Sequence, residues 1–372
     1  MFHVGRVSSG RSSLLTGIPR KVVVIGGSGF IGKYVAKAYI QDANTKIQLG
    51  SRHHRNNEDV RSLGNVLEVG SDITSRSDVL RSCEGASVIV NLVGIMHERP
   101  PKYTFENVHH QGARNIALAA KENNAHLIHI SAIGADVNSE VPYARTKALG
   151  EIAIRETCPD ATILRPSIVF GPEDDFFNRF AKLAKFLPFM PVFGGGKSKF
   201  QPIYVWDVAM AILHISDHPQ KFQGRTFEIG GPTVYTYKEI MKLTLNQAGM
   251  RRPIISLPWS VGLVQGFFLE KLPPNLFTIT RDQLKLLQKD NIVSEDPNIL
   301  KLKDLGIDPA PAERILYTYL RKHEITTPNK RTHRPFNTDV EDEIREIKKI
   351  REETPKHALD KESEYQKLHT KK

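Results

Sequence analysis

Tyr143 and Lys147, in the run Tyr143-Ala144-Arg145-Thr146-Lys147, stand at positions i and i+4. On a helix that spacing brings both side chains to one face. There a lysine lowers the phenol's pKa and holds a ribose, while the tyrosine gives or takes a proton. The pair arises often by chance and gains weight here from its place after the fifth apolar run of the chain. The lysine can bind a nucleotide even where no reaction follows, so the pair reads either as catalytic or as a vestige that serves binding alone.

A second constellation lies near the start. Gly26-Gly27-Ser28-Gly29-Phe30-Ile31-Gly32 follows an apolar run and opens an amphipathic one. In that setting Gly26 allows a tight turn, Gly29 lets the backbone approach a pyrophosphate, and Gly32 lets helix and strand pack closely. The phosphates then meet free amides and the positive end of the helix dipole. The residues closing the next apolar run settle which dinucleotide is expected. NAD-binding proteins carry an acid there for the ribose hydroxyls, whereas this chain reads Leu49-Gly50-Ser51-Arg52. Arg52, helped by the Ser51 hydroxyl, suits a 2′-phosphate and therefore NADP(H). Asp72 and Gly94 fit positions that wall the adenine. The expected cofactor contacts are Gly26, Ser28, Gly29, Phe30, Ile31, Gly32, Ser51, Arg52, Asp72, Ile73, Leu92, Gly94, Ser131, Tyr143, Lys147 and Pro166.

These residues need a scaffold that alternates strands and helices. Val22–Ile25, Ile47–Leu49, Val66–Val69, Val88–Leu92, Leu127–Ile130 and Thr162–Leu164 are short, β-branched apolar runs, separated by amphipathic stretches such as Phe30–Ile40 and Phe105–Lys121. Continuous apolar strands between helices imply a parallel sheet covered on both faces. The expected fold class is α/β, a Rossmann-type doubly wound sheet, with the NADP-binding core over 21–165. A smaller, Pro- and Gly-rich region over 166–322 should complete the cleft and offer a docking surface. Within it, Thr236 and Glu239 form a capping box ahead of a helix. The stretch Ile254–Leu269, broken by Pro258, reads as a core helix or one lying on a membrane surface, with core the default. Over 323–372 both charge signs crowd together. Val340, Ile344, Ile347 and Ile350 there keep helical spacing, on a solvated helix or one that docks on a partner.

With these residues in place, the chain resembles the atypical short-chain dehydrogenases that form the 39-kilodalton accessory subunit of mitochondrial complex I, NADH:ubiquinone oxidoreductase, over roughly Lys21 to Lys322. Leu164-Arg165-Pro166-Ser167-Ile168-Val169-Phe170-Gly171-Pro172-Glu173-Asp174 is the most telling block, with Tyr143–Glu151, Phe200–Val208, Thr280–Leu287 and Asp304–Pro309 extending it. The resemblance implies a tightly held NADPH and the other complex I subunits as partners. It further implies a peripheral site on the matrix side of the inner membrane, near ubiquinone, and no turnover. In that superfamily a serine after the fifth strand polarises the substrate carbonyl. Here Ala132 falls in that place, with Ser131 just before it. The second reading is an active NADP-dependent reductase or epimerase, as in ubiquinone biosynthesis, which the intact Tyr143–Lys147 pair keeps open.

Composition agrees with a globular chain: 372 residues, 40% hydrophobic and 25% charged, net charge +11. The basic balance is not gathered into one run, so nucleic acid is not expected as a partner. Part of it lies in residues 1–20, where Arg6, Arg11 and Arg20 sit among serines and no acid occurs before Asp42. That composition is that of a mitochondrial transit peptide, the other reading being a basic arm. No apolar run reaches the ~20 residues that span a bilayer. Cys83 and Cys158 lack CxxC neighbours and read as reduced thiols, and the doublets His53-His54 and His109-His110 read as loop or surface histidines, so no metal is expected.

Overall fold

The computed structural model describes residues 20–40, 44–52, 65–270 and 276–324. The stretch up to Pro19 that reads as a transit peptide, His53-His54 and the isoleucine-striped tail lie outside the described residues. Seven parallel strands form the central sheet: β1 (Arg20–Ile25), β2 (Thr45–Ser51), β3 (Val66–Gly70), β4 (Val88–Asn91), β5 (His126–Ile130), β6 (Thr162–Pro166) and β7 (Thr226–Ile229). Their spatial order is β7-β6-β5-β4-β1-β2-β3. The order reverses direction between β1 and β4, which opens the crevice where such sheets bind ligands.

Both faces of the sheet are covered, as the unbroken apolar strands require. Val22, Val24, Leu49 and Ile128 turn to one side, against α1 (Phe30–Tyr39) and α6 (Val205–Asp217). Val23, Ile25, Ile89 and Leu127 turn to the other, against α2 (Arg76–Cys83) and α3 (Gly112–Glu122). Each such fully buried aliphatic side chain is worth roughly 1.5–3 kcal/mol. Helix α4 (Pro142–Thr157) packs beside α3 and starts with proline at its first turn, where no amide partner is lost.

Two boundaries differ from the sequence expectation. Arg20, expected to end the leader, opens β1: its amide donates to Asn44 O at 3.1 Å and its guanidinium pairs with Asp217 at 2.6 Å. Nor does the sheet end at 165, because α6 and β7 return to it from later in the chain. The reason is register: β7 pairs residue for residue with β6, Thr226 beside Ile163 through Ile229 beside Pro166. Arg165 ties the arrangement together. Its guanidinium holds Glu151 of α4 through two bonds, 2.9 and 2.6 Å, and reaches Glu228 of β7 at 3.4 Å.

The remaining C-terminal residues build a second core. Phe170, Phe177, Tyr237, Met241, Leu316 and Tyr319 pack together there. They come largely from α5 (Phe176–Phe186), α7 (Tyr237–Gln247) and α10 (Ala312–Leu320). The capping box at Thr236 and Glu239 is formed in both directions. The stretch Ile254–Leu269 is not the core helix of the default reading. Ile254–Leu257 is a strand beside Met190–Phe193, and α8 (Trp259–Leu269) buries only Gly262 and Gly266. Small residues take the inner face of α8, so its large ones are left outside: Val264 is 60% and Phe268 63% exposed. Among the described residues no helix is long and apolar enough to cross a membrane.

Candidate functional site

The glycine run forms the turn between β1 and α1. Gly26 sits at φ +86°, a conformation costly for any side chain. A Cβ on Gly32 would stand 2.4 Å from Gly27 O, so α1 can lie this close to the turn only without one. Gly29 is the N-cap of α1 and no side chain caps it, so the first amides of the helix remain available to an anion. A cleft of about 250 Å³ opens over this turn. It gathers Gly26, Ser28, Gly29, Ser51, Arg52, Ile73, Leu92 and Gly94 from the ends of β1 to β4, all expected from sequence. It adds Gly50, Ser71 and Val93, which were not among the expected contacts.

The other expected residues lie around or below the cleft. Phe30 packs edge-on against Tyr34, and Ile31 packs on the core, so only their amides belong to the turn. Asp72 stands at the rim. Burial pulls its carboxyl up, but bonds from Lys102, Thr74 and Tyr103 outweigh that and hold it down at about 2. Pro166 ends β6 and accepts the Ile133 amide at 3.1 Å, touching neither cavity. Ser131 is buried at the end of β5, its hydroxyl without a hydrogen-bond partner among the described residues. Ala132 beside it brings no hydroxyl.

Lys147 lies beside the cleft, next to Gly94. Its Nζ donates to Ile130 O at 3.1 Å and lies 3.3 Å from where a Gly94 Cβ would stand. Beyond it, Tyr143 lines a second cavity of about 300 Å³ with Met96, His97, Glu98, Thr280 and Asp282. Helix α9 (Arg281–Gln288) supplies one wall, from 138 residues (281 − 143) further along the chain, so sequence spacing could not have revealed it. Burial pushes the Lys147 ammonium down to about 8, partly offset by Glu151, and pushes the Tyr143 phenol up to about 12.

His109 corrects an expectation. Rather than a surface residue, it is 2% exposed, on a π-helical turn (Glu106–Gln111) that opens α3. Its Nε2 accepts the Ile95 amide at 3.0 Å and its Nδ1 meets Thr146 Oγ1 at 3.1 Å. Its ring abuts Tyr143 edge-on, with centroids 5.4 Å apart. Burial, then Lys147 and His129, push its pKa down to about 2, so it stays neutral. No signal in the sequence marks it, because the π-helical turn that carries His109 inward is set by the folded helix. His110 does behave as a surface residue, paired with Glu106 at 2.5 Å. Both cysteines are free thiols, and no cluster of metal-binding side chains occurs among the described residues.

A glycine turn at the sheet's reversal point, with a Tyr–Lys helix flanking the same crevice, defines a short-chain dehydrogenase-type Rossmann protein. The chain belongs to the NAD dependent epimerase/dehydratase family, whose model matches residues 22–230, and within it to the family of complex I 39-kilodalton-type subunits. It is 30% identical to the mitochondrial "NADH dehydrogenase [ubiquinone] 1 alpha subcomplex subunit 9" of Arabidopsis thaliana, covering 88% of this chain and 83% of that one. It is also 30% identical to the mitochondrial "NADH-ubiquinone oxidoreductase 40 kDa subunit" of Neurospora crassa, covering 86% and 82%. The fold matches the solved UDP-glucose 4-epimerase of Thermotoga maritima with a TM-score of 0.60 at 19% identity, over 81% of this chain and 97% of that one. The family binds a nicotinamide dinucleotide.

Proposed function

We propose that this protein is an NADP(H)-holding accessory subunit of mitochondrial NADH:ubiquinone oxidoreductase, seated peripherally on the matrix face of the inner membrane near the quinone site. The nucleotide half of this reading is carried by Arg52. It lines the cleft at the end of β2, where an NAD-specific site needs a carboxylate. A guanidinium there can grip a phosphate through two parallel N–H bonds.

The subunit half is supported by relatives of nearly full length, named for that complex, whose likeness runs well past the nucleotide-binding strands. The outer face of α8 supports peripheral docking. Val261, Val264, Phe267 and Phe268 are exposed on it, an apolar surface of the kind that marks interaction sites. Ala132 in place of a polarising serine favours retention of the nucleotide over turnover. A bound nucleotide then stabilises the folded subunit by mass action.

The test is co-migration of the tagged protein on native gels of isolated mitochondria, with the same gels run after deletion of its gene. The expected result is a megadalton band and loss of assembled, active complex I on deletion. A deletion strain with fully active complex I but lowered ubiquinone would overturn the subunit reading in favour of a quinone-biosynthetic enzyme.

A further inference from the structure

Asp72 poses a problem for a phosphate-binding cleft. It is ionised at neutral pH and shares a tyrosine ring with Arg52. The Arg52 guanidinium lies over the Tyr103 ring, 4.4 Å from its centre, and the Tyr103 hydroxyl donates to Asp72 Oδ2 at 2.9 Å. A free carboxylate so placed would take Arg52 as its own ion-pair partner and would repel an incoming phosphate. Neither acceptor of Asp72 is free. Thr74 fills Oδ1 with its amide at 3.0 Å and its hydroxyl at 2.7 Å. Lys102 Nζ pairs with Oδ2 at 2.7 Å, alongside Tyr103. Among the described residues no carboxylate pairs with Arg52.

The segment that delivers Lys102 and Tyr103 leaves β4 and crosses to the β2 and β3 side of the crevice. It is built to hold its shape. Arg99 and Tyr103 exchange backbone bonds of 2.7 and 3.1 Å, and the Asn107 amide group donates to Pro101 O and Lys102 O. Stacking on Tyr103 fixes the plane of the guanidinium and leaves its N–H edges for a ligand.

We infer that Lys102 and Tyr103 are specificity residues of the nucleotide site: by occupying Asp72 they reserve Arg52 for the phosphate on the adenosine ribose. The inference rests on the reading that the cleft takes NADP(H). Lys102 need not touch the nucleotide. It acts through Asp72 and is a positioning residue, whereas Tyr103 supplies the plate beneath Arg52.

Fluorescence titration of the full chain with NADPH and with NADH tests this. Lys102→Met should weaken NADPH binding by roughly three- to ten-fold, the effect of one uncompensated charge at the edge of the site. NADH binding should change little, because it has no 2′-phosphate. Adding Asp72→Asn to Lys102→Met should restore the preference, which no general loosening of the loop would do. Equal weakening of both nucleotides, no change in either, or failure of Asp72→Asn to restore the ratio would each overturn the inference. If Lys102→Met does not fold, Tyr103→Phe keeps the ring and removes only the hydroxyl's bond to Asp72, and a smaller shift of the same sign is expected. A wild-type protein without NADPH preference would instead refute the NADP(H) reading. A preference lost in Arg52→Ala but kept in Lys102→Met would refute this inference alone.

Discussion

Gly29 and Gly32 belong to one motif, yet the structure assigns them separable jobs, and two alanine variants should show it. In Gly32→Ala the new methyl would stand 2.4 Å from Gly27 O and 2.6 Å from Gly27 C and Cα. All three are backbone atoms, so relief requires moving α1 away from the turn. Helix α1 is locked by buried Val35, Ala36 and Tyr39, and overpacking of this kind costs about 1–3 kcal/mol. The upper half of that range is expected, about 2–3 kcal/mol, because neither side can yield by rotating a side chain. For a folded unit of about 300 residues that lowers the thermal midpoint by roughly 3–5 °C. In Gly29→Ala the methyl meets only Gly26 O, at 3.1 Å, and φ is −78°, which alanine adopts freely. The nucleotide-free protein should lose less than about 1 kcal/mol, the scale of a helix-cap change. Its methyl, however, points where a pyrophosphate would lie. Thermal melts with and without NADPH separate the two effects. At a hundred times its Kd the nucleotide should add about 2.7 kcal/mol to the wild type and close to nothing to Gly29→Ala. If nucleotide-free Gly32→Ala melts with the wild type, the close approach of helix and turn is not what this glycine serves. If Gly29→Ala gains the full NADPH shift, the pyrophosphate does not sit over this turn.

Arg52→Asp should erase or reverse the NADPH preference, since a charge-assisted phosphate contact is worth about 1.5–3 kcal/mol; equal wild-type affinities for both nucleotides in a titration would refute the role given to Arg52. Arg165→Leu should destabilise the protein by about 3–5 kcal/mol in denaturant melts, because it leaves Glu151 and Glu228 buried and unpaired. Burial raises the Asp207 carboxyl to about 6, against a bond from the Ala310 amide that lowers it. Its folded pKa thus lies above its unfolded one, so its contribution is intact below about 4 and is lost as pH rises to 6. Asp207→Asn, whose amide oxygen can still accept from Ala310, should therefore stabilise the protein at pH 7 and flatten melting against pH between 4 and 6. Val264→Asp with Phe268→Asp should leave the melting temperature within about 2 °C of wild type, because both sites are exposed, yet release the protein from mitochondrial membranes on carbonate-free washing. Retention of the double variant would remove α8 from the docking surface.

The fold class was legible because both of its signals are local. A fully buried strand needs an unbroken apolar run, and six such runs appear at the spacing of a βαβ series. The glycine motif was legible for the same reason: turn, amide donors and helix start are consecutive, so seven residues carry the whole device. The place of Arg52 just after β2 could be read off because the apolar run and the residue are adjacent in sequence. Other features depend on chain crossings that no local pattern encodes. The return of α6 and β7 to the sheet follows from edge pairing with β6. The second wall of the Tyr143 cavity comes from α9. His109 looked like a surface doublet until one π-helical turn rotated it under Tyr143. Helix α8 looked like core by composition, but its two glycines took the inner face and left its large side chains in solvent. The same limit applies to Asp72. Its residue type marked it as an adenine wall, whereas its tie to Lys102 and Tyr103 arises only because a segment from β4 folds across the crevice. A sequence states which groups are present and how near they lie along the chain. Which charge faces which, and which surface remains uncovered, is decided by packing.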